Sequence, residues 1–203
     1  DYKSGTRDFK LSDVYYGLQV QLVTYLDAIW ENGGTGITPP VIPAGVLYFH
    51  VDDPIIRNNG RLDEKEIEKA IMKQLKMKVL LLSDLNLIRE MDNTIEGSSL
   101  IIPASLNKDG ELGKNTSAAS AEQFGLLRRH VKKLLKGLCE EVMKGNISIK
   151  PYRKKNITSC KYCSFSAVCQ FDTAMKENAY RLLHDRKDEE VWSMMEMGGE
   201  ADG

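Results

Sequence analysis

Three cysteines within ten residues constrain this chain more than any other feature: Cys160-Lys-Tyr-Cys163-Ser-Phe-Ser-Ala-Val-Cys169. Disulfide frameworks spread an even number of cysteines over a small secreted chain, whereas thiols crowded into one C-x2-C-x5-C run more often hold a metal. A tetrahedral zinc or a cubane iron–sulfur cluster takes four ligands. The fourth has to come from Cys139, from a histidine, or from residues outside this sequence. Zinc and iron–sulfur are not separated by spacing, and three unliganded thiols at a turn and helix start remain the plainer alternative.

Composition narrows the classes around that cluster. The chain has 203 residues, which suits one domain with an appended piece. Its 42% hydrophobic and 28% charged residues argue against global disorder. Lys and Arg number 28 against 29 Asp and Glu, so a globally basic nucleic-acid binder is excluded while a local basic face is not. No apolar run approaches the ~20 residues that cross a bilayer, and a cytoplasmic location is expected. The first residues, Asp-Tyr-Lys-Ser-Gly, have no Met and no signal-peptide pattern, so the chain reads as a piece of something longer.

Periodicity places the elements. Apolar residues at helical spacing (Val14, Leu18, Leu22, Leu26, Ile29) predict one helix over residues 14–30, with Ser12 or Asp13 as its cap. Residues 45–51 read as a buried strand, 63–76 as an amphipathic helix, 79–82 as either helix or strand, and 85–91 as a short helix. Asn107-Lys-Asp-Gly110 is a turn signal that predicts a hairpin between residues 99–103 and 111–112. The clearest helix spans residues 120–144. It carries one apolar stripe, a Ser120-x-x-Gln123 capping box and a closing Gly145. A strand over 147–150, a helix over 174–183 and an acidic tail from 185, mobile beyond Met197, complete the expectation.

Charge is uneven. Between Arg128 and Lys155 lie ten basic and two acidic residues, and from Asp185 onward seven acidic and two basic ones. The basic stretch, with Arg128, Arg129, Lys132, Arg153, Lys154 and Lys155, could follow phosphates; it could equally be a solvated helix face.

Two small motifs could carry chemistry. In Asp1-Tyr2-Lys3 the carboxylate and the ammonium share one face if the segment is a strand. Such an Asp can hold Mg²⁺, which prefers hard oxygen ligands. Such a Lys can orient a water or stabilise charge on a phosphate. D-x-K alone is common, and a surface ion pair is the plain reading. Gln21 and Tyr25, four apart, share one helix face and offer two polar tips. They could reach a metal-bound water or a phosphate, or merely form the polar edge of a core helix. His50 at a strand end and Cys139 in the basic helix read as structural residues.

D-x-K, then Q-x3-Y about one helix later, then C-x2-C-x5-C, form a combination far more specific than its parts. It resembles the RecB-type branch of the PD-(D/E)xK nucleases that carries an iron–sulfur cluster. The runs Val14-Tyr-Tyr-Gly-Leu-Gln-Val-Gln-Leu-Val-Thr-Tyr-Leu-Asp, Pro43-Ala-Gly-Val-Leu-Tyr-Phe-His-Val and Cys169-Gln-Phe-Asp are similar to the C-terminal nuclease domain of the AddAB-type helicase–nuclease family, from residue 1 to about 183.

The resemblance implies an α/β fold, a restriction-endonuclease-like mixed central sheet flanked by helices. It implies a nuclease core over residues 1–150 lacking its N-terminal part, a cluster segment over 151–184 and an acidic mobile tail over 185–203. Asp1 and the Tyr2 backbone carbonyl would bind Mg²⁺, Lys3 would be the catalytic lysine, and Gln21 and Tyr25 would complete the site. Cys160, Cys163 and Cys169 would be ligands of a [4Fe–4S] cluster whose fourth cysteine lies outside this chain. The implied activity is hydrolysis of the 5′-terminated DNA strand in double-strand-break repair by recombination, with single-stranded DNA and an AddA-type helicase–nuclease subunit as partners. A DNA-binding module with a metal-stapled C-terminus, and no catalysis, is the competing expectation.

Overall fold

The computed structural model describes residues 9–32, 42–51, 53–57 and 60–198. They form a mixed α/β chain that divides into two units. One comprises Phe9 with Gln21–Arg128, the other Lys10–Val20 with the residues from Arg129 onward.

The first unit holds a three-stranded mixed sheet. Strand β1 (Gly45–Tyr48) pairs antiparallel with β2 (Lys78–Leu82), and β2 pairs parallel with β3 (Ala118–Ala119). The ambiguous run at 79–82 is thus a strand. Its Val79, Leu80 and Leu81 are all buried, the pattern of a central strand covered on both faces. Gly45 is required where β1 meets β2, because a Cβ there would stand 2.6 Å from the Leu80 carbonyl oxygen. Leu81 and Ile88, with Ile102 and Ala104, form the core, and Leu47, Met77, Met91 and Leu112 pack around it. Helix α2 (Gln21–Asn32) packs on β1, and α4 (Leu85–Met91) on β2.

Helix α3 (Glu64–Leu75) buries no side chain and starts from a capping box in which Asp63 and Glu66 satisfy each other's backbone N–H. The expected hairpin is reduced to a turn: Leu106 bridges Leu112 around residues 107–110, and Ser98 bridges Ser105. Residues 99–103 form no strand, because the Ser99 hydroxyl accepts from the N–H groups of Ile101 and Ile102 and curls the chain.

The second unit departs further from the sequence expectation. The helix expected over 14–30 is two: α1 (Leu11–Tyr15) and α2 in the first unit. Gly17 breaks it, with φ +82°, a conformation that glycine adopts without the cost of a Cβ. Added there, a Cβ would meet the Leu134 side chain at 3.3 Å. The cap is also displaced, to Lys10, and Ser12 is buried within α1.

Helix α5 (Ala121–Met143) begins in the first unit and continues into the second. Its Ser120–Gln123 capping box forms as expected, and Gly145 closes it with φ +68°.

Residues 147–150 are irregular rather than a strand. Beyond them β4 (Tyr152–Lys154) pairs antiparallel with β5 (Ile157–Thr158) and parallel with β6 (Arg181–Leu182). The helix expected over 174–183 is replaced by turns and β6. The acidic residues expected in a mobile tail instead form α7 (Asp188–Glu196), whose Val191 and Met195 are buried and which packs on α1. Asp188, Glu189 and Glu190 fill its first turn, where the helix dipole favours negative charge.

Candidate active site and cysteine segment

Helix α2 carries the Q-x3-Y motif outward. Val23 is buried on one side, while Gln21 and Tyr25 lie together on the opposite side, as residues four apart must. The Gln21 side-chain amide donates to the Tyr25 hydroxyl oxygen at 2.7 Å, and Tyr25 is 47% exposed. Because that oxygen accepts from Gln21, the phenolic O–H is directed elsewhere and can donate to a ligand oxygen. Asp1, Tyr2 and Lys3 lie outside the described residues.

Further along α2, Asp27 and Glu31 hold Arg128. Asp27 pairs with its guanidinium, Glu31 accepts from it at 2.8 Å, and the guanidinium also lies 5.0 Å from the Trp30 ring centre. Arg128 therefore joins α2 to the start of α5 and meets two carboxylates within its own unit.

In the second unit Lys154 is buried between Asp13 and Asp185, with Asp185 at 2.7 Å, and Lys155 also pairs with Asp185. Burial pushes the Lys154 ammonium down, but the two carboxylates outweigh it and hold its pKa above the ordinary value. Hydrogen bonds from Lys154 and Lys155 keep the Asp185 carboxyl well below the usual carboxylate range. Three of the six basic residues first read as a phosphate track, Arg128, Lys154 and Lys155, are thus engaged by internal carboxylates. Arg129 is half-buried, whereas Lys132 and Arg153 are exposed. His130 stacks on Tyr15 with ring centres 4.8 Å apart, and its Nε2 lies 2.9 Å from the Tyr15 carbonyl oxygen. Burial lowers its pKa; the bond to that carbonyl opposes the shift and Lys133 adds to it.

The cysteines lie on a chain of tight turns. Lys155, in the left-handed region at φ +53°, turns β4 into β5. A 3₁₀ turn, Ser159–Tyr162, follows and contains Cys160, and the N–H of Cys163 closes on the Cys160 carbonyl at 3.2 Å. Helix α6 (Ser166–Cys169) ends on Cys169, with Gln170 left-handed behind it. All four cysteines are free thiols; Cys160 and Cys169 are half-exposed, Cys163 and Cys139 exposed. Among the described residues no three His, Cys, Asp or Glu side chains are gathered as a metal-ligand group. The donor set is nevertheless the soft one: thiolates suit zinc or iron–sulfur clusters and do not suit Mg²⁺. Exposed Tyr162, Phe165 and Val168 surround these thiols with apolar surface. His50 is half-exposed at the end of the β1 run.

Sequence reasoning missed Tyr180. The Arg153 guanidinium lies 4.1 Å from its ring centre, and Phe171 meets it edge-on at 5.0 Å. No local periodicity marks these three residues, which β4 and β6 bring together across some thirty positions of chain.

Comparison with known proteins agrees with this architecture. Residues 1–170 match the model of the PD-(D/E)XK nuclease superfamily. The chain is 71% identical over 195 residues to AddB, an ATP-dependent helicase/deoxyribonuclease subunit, of Acetivibrio thermocellus, covering 96% of this chain and 17% of that protein. It is 60% identical over 195 residues to the protein of the same name from Ruminiclostridium cellulolyticum, with 96% and 17% covered. That from Clostridium novyi is 54% identical over 200 residues, with 98% and 18% covered. The chain therefore spans less than a fifth of the length of these relatives. No helix among the described residues is long and apolar enough to cross a membrane. The mixed sheet with its helices is the restriction-endonuclease-like α/β fold of the matched superfamily. With both D-x-K and Q-x3-Y inside the matched span, the chain belongs to the PD-(D/E)XK nuclease superfamily.

Proposed function

We propose that this chain is the metal-dependent nuclease domain of an AddB-type helicase–nuclease protein. In this reading it hydrolyses the 5′-terminated strand of unwound DNA in the cytoplasm, during recombinational repair of double-strand breaks, beside an AddA-type partner. The observation that carries the reading is the superfamily match over residues 1–170, which takes in Asp1-Tyr2-Lys3, Gln21 and Tyr25 together.

The donors divide by hardness. The Asp1 carboxylate and the Tyr2 carbonyl are hard oxygens of the kind that hold Mg²⁺. When bound, the metal supplies Lewis-acid stabilisation of a phosphoryl oxygen and lowers the pKa of water. The Lys3 ammonium orients the attacking water and balances charge growing on the phosphate. Gln21 fixes the Tyr25 hydroxyl oxygen by donating to it, which leaves the phenolic O–H to hold a phosphate oxygen of the strand. Cys160, Cys163 and Cys169 would hold a [4Fe–4S] cluster completed by a cysteine elsewhere in the polypeptide. Its role is structural, since tying distant segments through a metal contributes directly to folding. Arg129, Lys132 and Arg153 would contact DNA, while Arg128, Lys154 and Lys155 serve the fold.

The test is Mg²⁺-dependent cleavage of single-stranded DNA by the full-length protein assembled with its partner, wild type beside Lys3→Ala. Loss of 5′-strand cleavage with DNA binding retained supports the reading. Unchanged cleavage of that strand overturns it in favour of a non-catalytic, metal-stapled DNA-binding module.

A further inference from the structure

The second unit contains an open groove of about 770 Å³ between residues 147–150 and 177–181. Its walls have three properties that neither cleavage nor the cysteine staple uses. Ile147 and Ile149 are 92% and 54% exposed, so an apolar wall faces solvent. Tyr180 lines the groove with its ring held in place by the Arg153 guanidinium and the edge of Phe171. Arg181 lines it too, and its Nε is buried with no hydrogen-bond partner.

A buried guanidinium N–H without an acceptor is costly, and a bound acceptor relieves that cost. The groove's formal charge favours an anion: Lys150 and Arg181 line it against one carboxylate, Glu177, and Arg153 stands beside it. An acidic peptide would meet the cations but would leave a flat aromatic–guanidinium platform and two isoleucines unused. A single DNA strand uses all of them. Its phosphates match Arg181 and Lys150, and its bases stack on Tyr180 or lie on the apolar wall.

We propose that this groove is a binding site for single-stranded DNA, with Arg181 and Lys150 taking phosphates and the Tyr180–Arg153 pair stacking a base. The site rests on the nuclease reading for its supply of single strands, but it uses none of the residues assigned to cleavage.

The test is ultraviolet cross-linking of an oligothymidylate to the full-length protein in its complex without Mg²⁺, followed by peptide mapping. Cross-links are expected on the peptide that contains Tyr180. In Arg181→Ala, half-saturation of that cross-link should move to about tenfold higher oligonucleotide, in keeping with loss of a charge-assisted phosphate contact. For a single strand each lost phosphate contact lowers the slope of log affinity against log salt by about 0.7. Lys150→Ala, at an exposed position where folding is not at stake, should show that change as well. Glu177→Gln removes the groove's carboxylate and should shift saturation the other way.

Cross-links elsewhere in the chain but none on the Tyr180 peptide would overturn the proposal. So would saturation and salt slope that are unmoved by Arg181→Ala and Lys150→Ala. Weakened partner association in those variants, with cross-linking unaffected, would overturn it in favour of an acidic peptide. Failure of the nuclease reading appears separately, as normal cleavage by Lys3→Ala while the Tyr180 cross-link persists.

Discussion

The sheet of the first unit and the cysteine-bearing stretch of the second are held by different forces. Around β2, stability comes from apolar burial: Leu81, Ile88, Ile102 and Ala104 are each at most 1% exposed. Across residues 147–182 only Lys154 among the described residues is buried, and it is charged. There the chain is shaped by two- and three-residue strands, tight turns, an ion cluster and three thiols. A segment with so little apolar burial has to be fastened by directional bonds, because few side chains leave water on folding. The two regions should therefore fail under different insults.

The largest expected effect tests that separation directly. Ile88→Ala removes a fully buried side chain from the core and should lower the stability of the sheet by about 2–5 kcal/mol. Faster amide exchange in β2 and α4 of the full-length protein would register it. Cys163→Ser should leave those amides protected. It should instead abolish the cluster's visible absorbance and open residues 147–184 to protease. If Cys163→Ser also unprotects β2, the two regions are not held independently and the contrast fails.

Lys154→Ala sharpens the contrast within the second unit. It leaves the Asp13 carboxylate, only 14% exposed, without its cation. Removing one partner of a fully buried pair costs about 3–5 kcal/mol, and partial exposure reduces this to about 2 kcal/mol here. Amide exchange in α1 and β4 is the readout. The same cluster has a pH signature. Because the Asp185 pKa is depressed by folding, its contribution is complete above the ordinary carboxylate pKa and is lost as pH falls through the lower, folded value. An acid limb that persists unchanged in Asp185→Asn would assign that loss to other carboxylates.

These same forces decide what the sequence makes legible. The apolar stripe and capping box of α5 are local patterns, and both appear as read. The capping box of α3 was equally readable in Asp63-x-x-Glu66. The break at Gly17 was hidden because the apolar period runs through it, and tertiary packing against Leu134 overrides that period. Helix α7 was signalled by three consecutive acids at its start, which read instead as tail composition. In the site, Gln21 and Tyr25 were legible because their spacing alone sets their meeting. The Arg128–Asp27 and Lys154–Asp13 pairs join residues more than a hundred positions apart, so no local pattern could reveal that these charges are neutralised within the fold. The Arg153–Tyr180 stack is illegible for the same reason.

His130 provides the smallest test, and a contrary one, because it binds the second unit through a neutral ring rather than an ion. Its stacking on Tyr15 and its bond to the Tyr15 carbonyl place the imidazole in partly dry surroundings, which lower its pKa by penalising the charged form. The unfolded chain then takes up the proton first as pH falls through about 6.5, the ordinary histidine value. The stability this histidine supports is thus complete above that value and erodes as pH drops towards the lower, folded pKa. The direction is opposite to that of a paired histidine, whose stabilising charge would be lost on raising the pH. Amide exchange in α1 and the middle of α5 should accelerate between pH 7 and 5 in the wild type. In His130→Gln, which keeps a donor to the carbonyl but cannot be protonated in this range, that acceleration should be absent. An equal acceleration in the variant would mean that the unit's acid sensitivity belongs wholly to its carboxylates. The second unit would then be held together by charge alone.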